Sequence, residues 1–189
     1  MKKRAVFLDR DGTINDDVGY PGCYGQAAVF PHSFDAVRKI NLAGWLAVVV
    51  TNQSGVGRGY FTEDALREIH SRMTEDFAAH GARIDAIYYC PHYPLSSDPR
   101  YRRDCRCRKP RPGMGLRAAR DLDIDLAGSY MVGDKVEDVA FGRAVGAVPV
   151  LVRTGYGRES ERRLRAAGTP PAHVGADLLA AVDWILEDG

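Results

Sequence analysis

Short apolar runs alternate with amphipathic segments along the chain. The runs are typical of strands buried on both faces of a parallel sheet, and they lie at residues 5–8, 45–50, 84–89, 129–132 and 148–152. Apolar positions with a helical period predict helices at about residues 33–42, 62–81, 113–122, 136–146 and 177–186. Between residue 152 and the last helix, the pattern predicts only a polar segment rich in Arg and Glu. This alternation predicts an α/β fold with a doubly wound, mostly parallel sheet of at least five strands.

Two of the predicted helices begin at a hydroxyl side chain. Ser33 and Thr62 each precede an apolar stripe, and a hydroxyl there accepts a hydrogen bond from the first turn of the helix. The connections after the first and third strands are too short for a separate cap domain. A chain of 189 residues is long enough for one core, so we expect a single domain over residues 1–189 with an open site.

The charges of the chain are nearly balanced, with a formal net charge of +1. This balance argues against a general binder of polyanions, so we expect no nucleic-acid partner. The basic N-terminus is followed by only four apolar residues before Asp9, which is too short for a signal peptide, and no apolar run approaches the length of a membrane span. We therefore expect a cytoplasmic protein without a membrane partner.

Two carboxylates follow the first predicted strand. Asp9 and Asp11 are separated by one residue, and alternate residues of an extended segment share a face. Both side chains therefore lie at the carboxyl end of a strand, where open α/β sheets bind ligands. Clustered carboxylates repel each other unless a cation or a proton compensates, and a hard ion such as Mg²⁺ fits this arrangement. The alternative is a surface turn with two solvated aspartates.

Polar groups occur at four predicted strand ends or just beyond them. Besides the Asp9–Asp11 pair, they are Thr51, Lys109 and Asp134. A carboxylate can attack phosphorus, while a hydroxyl and an ammonium can hold the phosphoryl oxygens and offset their developing charge. Taken singly, Thr51 and Asp134 are also suited to capping helices, and Lys109 lies in a basic run that is normally solvated. Their shared position at successive strand ends favours one phosphoryl-transfer site.

These motifs resemble the four motifs of the haloacid-dehalogenase-like (HAD) phosphatases. They are D-R-D-G-T at residues 9–13, T-N-Q at 51–53, K-P at 109–110 and G-D-K-V-E-D at 133–138. The resemblance implies that Thr51 and Lys109 hold the phosphoryl group. It also implies that Asp134 is a ligand of the catalytic Mg²⁺, with Asp138 in support.

The same resemblance implies roles for the first two carboxylates. Asp9 would be the nucleophile, forming an aspartyl phosphate, and a Mg²⁺ ligand. Asp11 would protonate the leaving alcohol, then activate water, and would give its backbone carbonyl to the metal. Crowding by other carboxylates is expected to raise the pKa of Asp11 toward that of a useful acid.

Three cysteines and a histidine follow the third predicted strand. C-P-H at residues 90–92 and C-R-C at 105–107 supply three thiolates and an imidazole, a complete tetrahedral zinc set with no position for a catalytic water. We expect a structural Zn²⁺ site formed by Cys90, His92, Cys105 and Cys107. The metal would shape a loop over residues 90–107 and place Arg108 and Lys109 at the site. Free thiols beside a surface histidine are the alternative, and a disulfide is disfavoured in a cytoplasmic chain.

A basic run overlaps this loop. Residues 100–111 contain seven basic side chains and one acidic side chain. A solvated face is the usual explanation, but beside a phosphatase site the run would attract a substrate with more than one phosphate. Arg108 is the candidate for a second phosphate contact, because its guanidinium can bind a phosphate through two hydrogen bonds.

Two groups share the four motifs together with such a zinc loop. They are the D-glycero-D-manno-heptose 1,7-bisphosphate phosphatases and the histidinol-phosphate phosphatases. This sequence is similar to the heptose group in T-N-Q-S-G at 51–55, R-G-Y-F-T-E at 58–63, Y-Y-C-P-H at 88–92 and C-R-C-R-K-P at 105–110. The histidinol group tends to carry Asp after T-N-Q and lacks Arg-Gly there. The resemblance implies hydrolysis of the C7 phosphate, in nucleotide-heptose synthesis for lipopolysaccharide and other cell-surface glycans.

Residue by residue, the resemblance also implies the substrate contacts. These are Asp9, Arg10, Asp11, Asp17, Val18, Gly19, Tyr20, Thr51, Asn52, Gln53, Ser54, Arg108, Lys109 and Lys135. The loop over residues 21–29 departs most from the pattern of the group, and the sequence leaves open which anomer of the sugar is bound.

Other functions are less well matched by the sequence. A histidinol-phosphate phosphatase is the main alternative. A polynucleotide 3′-phosphatase shares a T-N-Q-type motif, but the near-neutral charge and the absence of aromatic–basic strips disfavour it. A zinc-stabilised binding module without catalysis would lack a nucleophile, an acid or a metal ligand, whereas all of them are present. Because no cap domain is predicted, we expect a monomer.

Overall fold

A parallel sheet of six strands forms the centre of the structure, a computed structural model that describes residues 2–20 and 23–188. The strands are β1 (Ala5–Leu8), β2 (Leu46–Asn52), β3 (Ala86–Cys90), β4 (Tyr130–Gly133), β5 (Val148–Val152) and β6 (His173–Gly175). Their order across the sheet is β3-β2-β1-β4-β5-β6. The predicted doubly wound α/β fold is confirmed.

Seven helices accompany the sheet in the described residues. They are α1 (Pro31–Leu42), α2 (Ser54–Gly57), α3 (Glu63–Ala79), α4 (Gly113–Leu122), α5 (Val136–Val145), α6 (Gly157–Ala166) and α7 (Leu178–Asp188). A 3-10 turn at Tyr24–Gln26 lies between β1 and α1. None of these helices is long and apolar enough to cross a membrane.

The alternation of side chains along β1 divides the core into two layers. Val6 and Leu8 face α1, α3 and α7, in a cluster with residues such as Ile40, Phe77 and Ile185. Ala5 and Phe7 face α4 and α5 on the opposite side of the sheet. Both faces of β1 are therefore buried, which explains its uninterrupted apolar sequence.

Three predicted details were wrong. The segment after β5 was expected to be only polar, but it contains α6 and the edge strand β6. Leu164 is the one large apolar side chain that α6 buries, so too few apolar positions mark this helix in the sequence. Ser33 does not begin α1. The helix starts at Pro31, and the buried Ser33 hydroxyl donates to the carbonyl of Ile14 at 2.8 Å. The third strand begins at Ala86, two residues later than predicted.

The second predicted cap is present. The Thr62 hydroxyl accepts a hydrogen bond from the backbone of Ala65 at 3.1 Å, at the start of α3. Between β1 and α1 the described residues contain only the 3-10 turn, and no helix or strand is assigned to residues 91–112. These connections lie above the carboxyl ends of β1 and β3 and leave the edge of the sheet open.

The strand order places the functional edge. β1 pairs with β2 on one side and with β4 on the other, so the order reverses at β1. In doubly wound sheets, ligands bind at the carboxyl ends of the strands at such a reversal. Asp9 follows β1 directly at this position.

Candidate active site

A cavity of about 620 Å³ opens at the carboxyl ends of the strands. It is lined by most of the predicted substrate residues: Asp9, Asp11, Asp17, Gly19, Tyr20, Thr51, Asn52, Ser54, Arg108, Lys109 and Lys135. The structure thus brings together side chains from five separate parts of the chain. Of the other predicted substrate residues, Arg10, Val18 and Gln53 do not line this cavity.

Lys109 is the positive centre of the site. Its Nζ donates to Asp9 Oδ1 at 2.7 Å, to the carbonyl of Val50 at 2.8 Å, and forms an ion pair with Asp138 Oδ1 at 2.7 Å. The side chain is 2% exposed. Burial by itself favours the neutral amine, but Asp138 and Asp9 outweigh it and raise the pKa of Lys109. The ammonium is therefore charged and points at the nucleophile predicted from the sequence.

A side-chain amide holds the backbone of Lys109. Asn52 Oδ1 accepts from the Lys109 backbone N–H at 2.9 Å, and Asn52 Nδ2 donates to the Lys109 carbonyl at 3.2 Å. Asn52 is the last residue of β2. The pair of hydrogen bonds therefore ties the loop after β3 to the sheet. Asn52 was predicted to contact the substrate, and it also positions the backbone of Lys109.

Three buried carboxylates form an acidic group beside Lys109. Oxygen atoms of Asp9, Asp134 and Asp138 lie within 4.8 Å of one another. Burial, with a further contribution from Asp138, raises the pKa of Asp9 to about 6. Burial, with the charges of Asp9 and Asp138, raises the pKa of Asp134 to about 8. Three carboxylates in so small a volume repel one another, and a cation among them would relieve this repulsion.

The unsatisfied oxygen of Asp134 agrees with a cation site. Asp134 Oδ2 accepts from the Tyr156 backbone N–H at 2.8 Å, but the buried Oδ1 has no hydrogen-bond partner among residues 2–20 and 23–188. Oxygen donors of this kind fit a hard divalent ion. Asp138, which was predicted only to support the metal site, lies within this group, while the carboxylate of Asp11, predicted to give only its backbone carbonyl to the metal, is bound by Arg10.

Two glycines allow the chain to close over Asp134. Gly12 has a φ of 88°, and a Cβ atom there would lie 2.4 Å from Asp134 Oδ2. A Cβ at Gly155 would lie 2.3 Å from the same oxygen. The hydroxyl of Thr154 donates to the Gly12 carbonyl at 2.6 Å and joins the two segments. Any larger side chain at either position would displace the carboxylate.

Asp11 is held by four hydrogen bonds. Arg10 Nε and NH2 donate to its two oxygens at 2.9 Å each, Gln53 Nε2 donates at 2.8 Å and Asn15 Nδ2 at 3.1 Å. Burial raises the pKa of Asp11, but Arg10 and these donors outweigh burial and lower it below its ordinary value. The predicted rise was wrong, because the neighbour that dominates is the guanidinium of Arg10 rather than another carboxylate.

The loop after β1 reaches the other side of the cavity. Lys135 Nζ donates to Asp17 Oδ2 at 2.9 Å, and the Asp17 Oδ1 accepts from the Gly19 backbone at 3.0 Å. The rings of Tyr20 and Tyr60 meet edge to face with centroids 4.6 Å apart. The loop over residues 21–29 was predicted to differ most from the pattern of the family. Its first two residues, Pro21 and Gly22, lie outside the described residues, so nothing tests the prediction for them.

Arg108 and Lys135 add positive charge to the cavity wall. Arg108 NH1 is buried and has no hydrogen-bond partner in the described residues. Burial lowers the pKa of Lys135, but the charges of Asp9 and Asp134 and the ion pair with Asp17 raise it overall. A buried, unpaired N–H of a guanidinium is suited to an anionic ligand, since leaving it unpaired is unfavourable.

The four predicted zinc ligands lie together. Cys90 Sγ is 3.4 Å from Cys105 Sγ and 3.2 Å from Cys107 Sγ, and His92 Nδ1 is 3.1 Å from Cys107 Sγ. A disulfide requires about 2.05 Å between sulfurs, and all of these cysteines are free. Three sulfurs and one ring nitrogen within 4.8 Å of one another form a group that could hold a metal ion.

Glu63 connects this cluster to the body of the protein. Its two oxygens accept from the hydroxyls of Tyr89 at 2.7 Å and Tyr101 at 2.8 Å. Tyr89 belongs to β3 and Tyr101 to the loop, so both are fixed to the first turn of α3. The loop that precedes Lys109 is thereby held to α3 just before its start and at one position within it.

Four lining residues were absent from the predicted substrate contacts: Pro110, Glu137, Asp138 and Tyr156. Asp138 had been expected only to support the metal site. Tyr156 follows the carboxyl end of β5, and this position is the signal that could have identified it. Tyr156 was not among the predicted contacts because the sequence pattern after β5 predicted only a polar segment.

The comparisons with known proteins agree with this geometry. A family model described as HAD-hydrolase-like matches residues 106–181. A D-glycero-β-D-manno-heptose-1,7-bisphosphate 7-phosphatase of Yersinia pestis is 42% identical over 183 residues, covering 96% of this chain and 89% of its own. The protein of the same name from Escherichia coli strain K12 is 47% identical over 152 residues, covering 80% of each chain.

Solved structures show the same fold. A D,D-heptose 1,7-bisphosphate phosphatase from B. bronchiseptica, complexed with magnesium and phosphate, has a TM-score of 0.86 and 36% identity, covering 98% of this chain and 99% of its own. A D,D-heptose 1,7-bisphosphate phosphatase from Burkholderia thailandensis has a TM-score of 0.70 and 35% identity, covering 97% and 99%.

Proposed function

This chain belongs to the D-glycero-β-D-manno-heptose 1,7-bisphosphate 7-phosphatase family of HAD-like hydrolases, and we propose that it removes the C7 phosphate of that heptose bisphosphate. The product is the heptose 1-phosphate, for use in nucleotide-heptose synthesis. The observation that carries the proposal is the contact of the buried Lys109 with Asp9 among three clustered carboxylates. The β anomer is taken from the names of the relatives.

The reaction uses two carboxylates in turn. Asp9 attacks phosphorus and forms an aspartyl phosphate, while Asp11 gives its proton to the departing C7 oxygen. Asp11 then takes a proton from water, which attacks the aspartyl phosphate and releases inorganic phosphate. Lys109 and the hydroxyl of Thr51 hold the phosphoryl oxygens. The low pKa of Asp11 belongs to the substrate-free site, because an arriving phosphate dianion favours the protonated acid.

The proposed Mg²⁺ and Zn²⁺ ions have different roles, one catalytic and one structural. Asp9, Asp134 and the backbone carbonyl of Asp11 would hold Mg²⁺, which supplies positive charge to the phosphoryl oxygens when bound. Asp138 would support this site, and its ion pair with Lys109 is consistent with that role. Cys90, His92, Cys105 and Cys107 would hold a structural Zn²⁺ that keeps the loop over residues 90–107 in shape.

The remaining side chains of the cavity would bind the second phosphate and the sugar. Arg108 is assigned to the C1 phosphate, because it lines the cavity and its buried NH1 has no partner in the part of the chain that the structure describes. Lys135, Asp17, Gly19, Tyr20, Asn52 and Ser54 are assigned to the sugar and its phosphates. The side chain of Arg10 is engaged by Asp11, so we assign Arg10 no direct contact beyond its backbone.

The wider proposal is a single-domain, monomeric protein over residues 1–189 that works in the cytoplasm without a nucleic-acid partner. The clustered thiols support a reducing compartment. The near-neutral charge supports a small-molecule substrate rather than a polyanion.

The test is phosphate release, with Mg²⁺, from the two anomers of heptose 1,7-bisphosphate and from histidinol phosphate. ³¹P NMR of the product distinguishes loss of the C7 phosphate from loss of the C1 phosphate. We expect preference for the β anomer and a 1-phosphate product, with phosphate release by an Asp9→Asn variant lower by about a thousandfold or more. Preference for histidinol phosphate, the alternative that the comparisons do not favour, would overturn the substrate assignment.

A further inference from the structure

A buried histidine that the proposed mechanism does not use lies behind Asp11. His70, on α3, is 7% exposed. Its Nε2 is 3.2 Å from Arg10 NH1, and its ring centroid is 5.4 Å from that of Tyr89. Arg10 in turn is 2% exposed and places Nε and NH2 on the two oxygens of Asp11 at 2.9 Å. The three side chains form a continuous chain of hydrogen bonds that ends at the cavity.

The chemistry of Arg10 determines which ring nitrogen of His70 carries the proton. A guanidinium carries five N–H donors and no acceptor. The Nε2 atom of His70 must therefore accept from Arg10, which leaves the proton of a neutral imidazole on Nδ1. Burial and the charge of Arg10 lower the pKa of His70 to about 3, so the ring is neutral at ordinary pH. A neutral acceptor at this point satisfies a buried cationic group without adding a competing carboxylate.

We propose that His70 and Arg10 are positioning residues for the reaction: His70 orients the guanidinium of Arg10, which holds the carboxylate of Asp11 toward the leaving oxygen. The proposal rests on the proposed function, in which Asp11 is the acid. Arg10 reaches Asp11 with two parallel hydrogen bonds, a geometry that fixes the plane of a carboxylate. Without His70, the guanidinium loses one of its buried partners and is free to turn away from that plane.

Two substrates with different leaving groups distinguish a positioning role of His70 from a general structural role. The value of kcat/KM reports steps up to phosphoryl transfer, and an alkyl alcohol needs the proton of Asp11 far more than p-nitrophenolate does. We expect His70→Ala to lower kcat/KM for heptose 1,7-bisphosphate by about tenfold or more, and for p-nitrophenyl phosphate by less than about threefold. His70→Gln, whose carbonyl can accept from Arg10, should stay close to wild type on both substrates.

His80→Ala is the matched control. His80 follows the end of the same helix and stacks on Phe34 with centroids 3.9 Å apart, remote from Asp11. Its loss should reduce thermal stability while leaving the ratio of the two kcat/KM values unchanged. An equal fall on both substrates in His70→Ala, or no recovery in His70→Gln, would overturn the positioning role.

The tautomer of His70 gives a readout that does not depend on activity. ¹⁵N NMR of the wild type at neutral pH, assigned by the signal that is lost in His70→Gln, should show a protonated Nδ1 and an unprotonated Nε2. A protonated Nε2 would overturn the proposal. A wild type that hydrolysed neither substrate would overturn the proposed function, and the tautomer would still decide whether His70 accepts from Arg10.

Discussion

At the scale of single residues, the surroundings of Asp9 act on its charge in two opposite ways. Lys109 stabilises its charge at 2.7 Å, whereas burial and the neighbouring carboxylates oppose the charge. We predict that Asp9→Asn lowers phosphate release on the order of a thousandfold or more, because the amide cannot attack phosphorus. In the presence of a chelator its Tm should be no lower than that of the wild type, because repulsion among the carboxylates is relieved.

Asp104→Asn is the control for this change. The carboxylate of Asp104 is 75% exposed and pairs with Arg111 on the surface. It should keep full phosphate release and the wild-type Tm, as exposed ion pairs contribute little. An Asp9→Asn variant with residual turnover near that of Asp104→Asn would contradict the assigned nucleophile.

The raised pKa values predict a pH dependence of stability. For Asp9 and Asp134 the folded pKa, about 6 and about 8, lies above the ordinary value of 3.8. Folding therefore favours the protonated acids, and the stability that they contribute at low pH is lost as pH rises from about 4 to about 8. His70, whose folded pKa of about 3 lies below its ordinary value of 6.5, changes stability in the opposite sense up to about pH 6.5. Without divalent ions we therefore expect the fall of Tm to be clearest above that pH, by roughly 2–4 °C for each kcal/mol lost.

Magnesium should remove most of this fall, because a bound cation stabilises the ionised carboxylates and stabilises only the folded state. The measurement is thermal unfolding from pH 5 to pH 8, with a chelator and with excess Mg²⁺. A Tm that rose with pH above about pH 6.5 in the chelator would contradict the assignment, because it would mean that the ionised carboxylates are favoured without a cation.

At the scale of elements, Asn52 joins the end of β2 to the loop that carries Lys109. We predict that Asn52→Ala lowers kcat by about tenfold or more, because a small displacement of a catalytic group strongly slows the reaction. Thermal stability should fall by about 1–2 kcal/mol for the lost hydrogen bonds. Steady-state kinetics and thermal unfolding measure the two effects.

The chain offers a closely matched control for this change. Asn41 makes the same pair of hydrogen bonds to the backbone of Arg83, at 2.7 and 3.1 Å, at the opposite end of β2 from the cavity. Asn41→Ala should lose similar stability and keep its kcat. Equal losses of kcat in the two variants would show that Asn52 acts only through stability.

The loop over residues 90–107 depends on its cysteine–histidine cluster. We predict that Cys107→Ser reduces bound zinc below one ion per chain, because one of four ligands is lost. It should also lower the free energy of unfolding, on the order of several kcal/mol, because metal binding contributes to folding. Lys109 is two residues away, so kcat should fall as well.

Cys23→Ser is the control, as Cys23 is exposed and lies outside the cluster. It should keep the zinc content, Tm and kcat of the wild type. Elemental analysis after chelation and dialysis gives the metal content. A full equivalent of zinc in Cys107→Ser would remove that thiol from the ligand set.

At the scale of the whole molecule, the surface favours a monomer. Among the described residues, the exposed large apolar side chains fall into two groups. Tyr20 and Tyr156 line the cavity, with Tyr60 packed against Tyr20 and Val18 two residues away in the same loop, whereas Leu42, Leu95 and Leu116 lie on separate elements. Scattered apolar side chains of this kind do not form an interface. We predict a mass near 20.8 kDa by light scattering after gel filtration, and a dimer mass would contradict it.

Much of the architecture follows from local patterns. Each long apolar run became a strand, and the helices predicted from several apolar positions formed close to where they were predicted. The exceptions are informative. β6 has only three residues and α6 buries few apolar side chains, so neither has enough pattern to be recognised locally. Both are stabilised by packing against β5, which lies nearby in space.

The order of strands and polar residues along the chain was enough to predict which chemical groups meet. Parallel strands end at one edge of a sheet, so residues at successive strand ends must converge there, and Asp9, Thr51, Lys109 and Asp134 do so. The spacing of three cysteines and a histidine likewise predicted a cluster that the structure contains. These inferences needed only the strand pattern and the chemistry of the side chains.

The pairing of those groups, in contrast, follows from packing in the folded protein. Asp138 joins the acidic group, Asn52 holds the backbone of Lys109, and Arg10 contacts both Asp11 and His70. These pairings depend on the rotamers and distances of buried side chains. A buried charge adopts the partner that packing brings within hydrogen-bond distance, and its pKa follows that partner. Such distances are a property of the folded core and are not encoded in spacing along the chain.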